Sequence, residues 1–165
     1  AQLERALEDA HLFVDRRETT PAQVLRESEA LAARLGFVTT ALSSAVANAE
    51  RGALVDLLAR ASASVLRVGK LNYAATGLRQ PPADVAVGAQ QSLVEFQSAL
   101  QALNPATLPD KARQELELTQ HQWLLFRAGL QENGLIKPST RLADLATTTD
   151  RMAESLGRMA RRLLA

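Results

Sequence analysis

The chain has 165 residues, 47% apolar and 22% charged, which suits one folded domain and excludes a disordered or fibrous chain. Nineteen basic against 18 acidic residues leave a net charge of +1, which argues against a protein that coats phosphate backbones, so no nucleic-acid partner is expected. The absence of cysteine excludes disulfide scaffolds, thiol catalysis and Cys-based zinc sites, and two histidines are too few for a histidine-rich metal centre.

Only 4% of residues are aromatic and eight are glycine, lean for an all-β protein, while Ala, Leu, Arg, Glu and Gln dominate and favour helix. Helices are expected near 2–17, 21–50, 53–77, 82–103, 109–133 and 138–164. Thr20 and Pro21 form a helix start, with Gln23 completing a capping box. Between Pro21 and Thr76 the one weak point is Arg51-Gly52, which leaves a single kinked helix and two helices both open. Gly77 is suited to a left-handed helix end, and Pro105 and Pro109 break the chain again. Asn133-Gly134 followed by Pro138 makes the last connection.

Apolar residues recur in steps of three and four along the later segments. The seams run Val85, Ala89, Leu93, Phe96, Leu100, Leu103, then Ala112, Leu116, Thr119, Trp123, Phe126, Leu130. The last continues Leu142, Leu145, Thr149, Met152, Leu156, Met159, Leu163. Seams of this kind belong to near-parallel helix packing, and the expected fold is all-α. Its architecture is expected to be an antiparallel four-helix bundle over 53–165, with an additional N-terminal helical hairpin over 1–50. A weak internal repeat pairs the hairpin 1–50 with 109–164, through Leu12-Phe13 and Leu125-Phe126 among others. No apolar run is long enough to cross a bilayer, and Ala1 to Arg5 show no basic start to a signal peptide, so neither is expected within the chain.

The segment 60–73 carries the candidate site. Arg60, Arg67 and Lys70 share one side of a helix, Tyr73 follows three residues after Lys70, and Ser64 lies between the two arginines. Small residues at Ala61, Ser62, Ala63, Ser64 and Gly69 let another helix or a second subunit approach closely. Arginine presents a planar fork to oxyanions, so the cluster suits a small anion at a helix–helix or subunit interface; a solvated basic stripe is the plainer reading. Trp123 sits on its seam, where core packing stands ahead of ligand stacking. His121 lies off the seam. The pairs Glu27/Glu29 and Glu115/Glu117 read as solvated charges, and Arg158 as a cation suited to its helix's C-terminal dipole. No nucleophile motif, phosphate loop or metal-ligand spacing is present, and no cofactor is expected.

The stretch from about Leu57 to Leu164 resembles the sensor domain of type IV pilus chemotaxis transducers (the PilJ-type domain), related to the periplasmic domain of nitrate/nitrite sensor kinases. Arg67-Val68-Gly69-Lys70-Leu71 is similar to part of that family's basic first-helix motif, and Phe96, Leu100 and Leu103 to its second helix. Trp123-Leu124-Leu125-Phe126-Arg127 is similar to its third-helix signature, and Leu142 to Leu164 to its fourth helix. The family's nitrate-binding members grip the anion with an arginine at a dimer interface; at the matching position here stands Ser62, while Arg60 and Arg67 are kept. The resemblance implies a non-enzymatic, periplasmic or otherwise extracytoplasmic sensory module of a bacterial signalling or chemotaxis-like system. It implies a small ligand near Arg60, Ser64, Arg67, Lys70 and Tyr73, and a homodimer through the 53–77 helix. The alternative is a structural or scaffolding bundle that binds partner helices.

Overall fold

The computed structural model describes residues 20–164. They form five helices: α1 (Pro21–Ser44), α2 (Ala49–Gly77), α3 (Asp84–Leu103), α4 (Asp110–Ala128) and α5 (Leu142–Leu164). The described residues contain no β-strand, only an isolated bridge between Leu130 and Ile136. The expected helix 2–17, and with it the first half of the repeat copy 1–50, lies outside the described residues.

The expected helix start at Thr20 is present in full. Gln23 N donates to Thr20 Oγ1 at 3.3 Å, Thr20 N donates to Gln23 Oε1 at 2.9 Å, and Pro21 occupies the first turn. The break between α1 and α2 falls at 45–48, ahead of the expected Arg51-Gly52. Asn48 decides the place, because its side chain accepts from Arg51 N at 3.0 Å and caps α2. Gly52 is inside α2 and is a contact point: a β-carbon there would stand 2.5 Å from the Ser43 carbonyl oxygen. The glycine lets the end of α1 fold back against α2.

Two other helix ends differ from expectation. Gly77 closes α2 without a left-handed conformation, and among the described residues Gly134 is the glycine with positive φ. Helix α4 stops at Ala128, and α5 starts only at Leu142. The carbonyls at the end of α4 are taken by the loop that follows. Lys137 Nζ donates to Ala128 O at 2.7 Å, while Lys137 N and Thr140 Oγ1 donate to Gly129 O at 3.0 and 2.8 Å.

Helix α2 is the centre of the molecule and packs against α1, α3 and α5, while α4 packs against α5. The contacts run antiparallel in each case. Ser64 meets Glu95 and Arg67 meets Gly88 across α2–α3; Ser62 meets Ala153 and Gly69 meets Thr149 across α2–α5. On α4–α5, Glu115 meets Arg158 and Thr119 meets Ser155. The three seams face inward as expected, and Leu58, Val65, Val68, Phe96, Leu116, Met152, Leu156 and Met159 form the body of the core. Trp123 is core: its ring meets Phe96 edge-on at 4.8 Å and lies 5.8 Å from Phe126.

Helix α1 is different. Ser43 is its one buried residue, and Phe37 and Leu42 are 78% and 65% exposed. It is held on α2 by Leu25, which packs with Leu71, Val85 and Ala89, and by polar contacts described below.

Candidate functional site

Most of the small residues of α2 serve contacts within the chain, Ala63 excepted, which is exposed. Gly69 lies against Thr149 of α5, where a β-carbon would come within 3.0 Å of the Thr149 hydroxyl oxygen, and Ser62 Oγ donates to Ala153 O at 3.4 Å. Ala61 is fully buried. This close packing leaves the basic side of α2 turned toward α1 and α3.

A groove of about 600 Å³ runs between α1 and α2, and Arg60, Ser64, Arg67 and Lys70 all line it. Its lining includes small residues, Ala32, Ala33 and Gly36 of α1 and Ala59 and Ala63 of α2. Leu35 and Leu66, both partly exposed, lie along it. Tyr73, half-exposed farther along α2, is not among the lining residues. Four of the five residues singled out from the sequence therefore share one concave surface, and the fifth does not.

The electrostatics of the groove differ from a bare basic cluster, because each cation has a carboxylate beside it. Arg60 Nη2 pairs with Asp56 at 2.6 Å, one turn away on the same helix, and Thr40 of α1 donates to the other oxygen of Asp56 at 3.0 Å. Ser64 donates to Glu95 of α3 at 3.2 Å. At the far end, Glu29 of α1 engages two cations at once. Its Oε2 accepts from Arg67 Nε at 2.8 Å and lies 2.7 Å from Nη2, while its Oε1 lies 2.5 Å from Lys70 Nζ. Burial alone would push the Glu29 carboxyl up. The hydrogen bonds and charges of Arg67 and Lys70 outweigh that, and hold it below its ordinary value. Glu29 is thus no solvated charge.

Arg67 is also fixed from the other side. Its Nη1 donates to Ser92 Oγ of α3 at 3.0 Å and reaches Gly88 O at 3.5 Å. Gly88 makes room for this, since a β-carbon there would stand 3.2 Å from Arg67 Nη2. One edge of the guanidinium is anchored on α3 and the other faces the groove.

Two further polar centres escaped the sequence reading. Asn72, buried on α2, ties down the α4–α5 loop: Nδ2 donates to Gly134 O at 2.9 Å and Oδ1 accepts from Ile136 N at 2.7 Å. Glu115 clasps α5, accepting from Arg158 Nε and Nη2 at 3.0 Å each and from Ser155 Oγ at 2.6 Å. Arg158 therefore serves this clasp instead of standing free at its helix end. The hydrogen bonds from Arg158, then from Ser155, hold the Glu115 carboxyl below its ordinary value. Glu117 and His121 are exposed, as expected.

One signal for the groove was available. Once the turn is placed at Asn48, residues equidistant from it face each other: Thr40 meets Asp56 and Glu29 meets Arg67. Placing the turn at Gly52 moves each facing partner by eight residues and hides the pairing.

Among the described residues no group of three acidic, His or Cys side chains is gathered to hold a metal ion. No described helix is long and apolar enough to cross a membrane. No family model matches the chain, and no curated protein or solved structure matches it either.

Proposed function

We propose that this chain is a non-enzymatic ligand-sensing module of a bacterial signalling system, extracytoplasmic and similar to the PilJ-type sensor domain. In this reading α2 to α5 act as an antiparallel four-helix bundle, with α1 as part of an N-terminal hairpin lying on it. The observation that carries it is the α1–α2 groove, on which Arg60, Ser64, Arg67 and Lys70 converge. A small ligand with an anionic group would lie there and act by favouring one packing of α1 on α2 over another, through its differential affinity for the two. A homodimer through α2 would use the half-exposed Tyr73, which lies outside the groove, because Ser62 and Gly69 are taken up by α5 and Ser64 by α3.

Thermal unfolding against a panel of small oxyanions, carboxylates and amino acids tests the reading. A saturable rise in Tm that Arg67→Gln abolishes is expected. No shift with any compound refutes it.

The exposed Leu118, Leu124 and Leu125 on α4 favour a second reading, a scaffold that binds a partner helix. Sedimentation separates the two: self-association lost in Leu118→Ser/Leu125→Ser favours the scaffold, and a monomer that binds a panel ligand favours the sensor.

A further inference from the structure

We propose that Glu29 is a tethered occupant of a carboxylate-binding site. The ligand it stands in for is a carboxylate with an apolar body, which displaces the Glu29 side chain and lies along the α1–α2 groove. This rests on the ligand-sensing reading above and specifies the ligand's chemistry.

The argument starts from Arg67. Ser92 and Gly88, both on α3, hold its Nη1 edge through contacts that do not involve Glu29. The opposite edge, Nε and Nη2, therefore stays aimed at the position now filled by Glu29 Oε2, with Lys70 Nζ beside Oε1. A cationic fork positioned by a second helix is preorganised for an oxyanion, and the group it now holds is itself a carboxylate. Glu29 is well suited to leave. Its side chain is 29% exposed and sits on the least buried of the five helices, so an outward rotation returns it to water.

The remainder of the groove specifies the rest of the ligand. From the Arg67–Lys70 end it continues over Ala32, Ala33, Gly36 and Ala63, with Leu66 alongside. These residues offer apolar contact and no further unpaired cation, since Arg60 is paired with Asp56. Glu95, beside Ser64, adds negative charge in mid-groove and steers a ligand's carboxylate to the Arg67–Lys70 end. The groove's volume of about 600 Å³ accommodates a body of several carbons.

The test is calorimetric titration of the intact chain and of Glu29→Gln with acetate, butyrate and hexanoate at matched ionic strength, with hexanol and hexylamine as controls. Affinity is expected to rise about fourfold per added methylene that enters the groove. If Glu29 fills the site nine-tenths of the time, Glu29→Gln binds hexanoate about tenfold tighter than the native chain. Arg67→Gln is expected to abolish binding in either background. A second readout needs no variant: with carbon-13 carboxyl labelling, the Glu29 resonance moves to the position of a free glutamate as hexanoate is added.

Equal affinity of Glu29→Gln and the native chain overturns the proposal, as does affinity independent of chain length, or hexanol binding as well as hexanoate. If the carboxylates fail while nitrate or another inorganic oxyanion stabilises the native chain, this inference falls and the ligand-sensing reading stands. If nothing binds either chain, both fall.

Discussion

Asn72→Ala isolates the one polar side chain that joins α2 to the α4–α5 loop. In the native chain Asn72 is 1% exposed and serves two backbone groups from that loop, the Gly134 carbonyl at 2.9 Å and the Ile136 amide at 2.7 Å. Truncation to alanine removes both bonds and leaves both groups beside an apolar wall. A buried backbone group without its partner costs about 1–3 kcal/mol. Gly134 is buried and incurs most of that cost, while Ile136 is half-buried and recovers part of it from water. The expected loss is about 2–4 kcal/mol, a large share of the roughly 5–15 kcal/mol that holds a domain together. Urea unfolding followed by circular dichroism measures it, and hydrogen exchange at the Ile136 amide locates it. Asn133→Ala is the control, because Asn133 bonds only to the nearby Leu135 amide and should cost well under about 1 kcal/mol. The reasoning is refuted if Asn72→Ala costs no more than the control and the Ile136 amide exchanges as slowly as before.

Gly134→Ala should be severe, because φ is +78° and a β-carbon would stand 2.7 Å from the Ala89 carbonyl oxygen; a loss of about 2 kcal/mol or more is expected in the same urea assay. Gly36→Ala should do the reverse, since nothing lies within 4 Å and alanine is the better helix former, with a gain of up to about 1 kcal/mol in Tm-based stability. The Glu115 clasp gives a pH signature. Its folded-state carboxyl titrates below its unfolded value, so its stabilisation is present above the unfolded pKa and is lost as pH falls through the lower, folded pKa. Glu115→Gln should therefore be less stable by about 1 kcal/mol at pH 7, with the difference closing as pH falls below about 4; a difference independent of pH would refute the role assigned to the charge. Phe96→Ala removes the ring that meets Trp123 edge-on, costs about 3–5 kcal/mol, and should shift the emission of this lone tryptophan to longer wavelength as water reaches it.

The helical class, the capping box at Thr20, the three inward seams and the core placement of Trp123 were legible in the amino-acid order. Each depends on spacing within one segment: a seam at steps of three and four must turn one face to the interior wherever its partners stand. Helix ends were less legible. The reach of α4 past Ala128 and the start of α5 near Pro138 were overestimated, because loop donors from Lys137 and Thr140, and Asn72 from a distant helix, take the backbone groups that further helical turns would have used. The convergence of Arg60, Ser64, Arg67 and Lys70 on one side of α2 follows from helical repeat and needed no fold to find it. What only the tertiary structure decided is the charge that Ser64, Arg67 and Lys70 meet; Arg60 has its own within the helix, in Asp56. Glu29 reads as a surface acid when α1 is considered alone, and becomes the partner of Arg67 and Lys70 once the turn at Asn48 sets the register of α1 on α2. Periodicity is a property of one helix, whereas a counter-charge is a property of two, and the turn between them sets which residues meet.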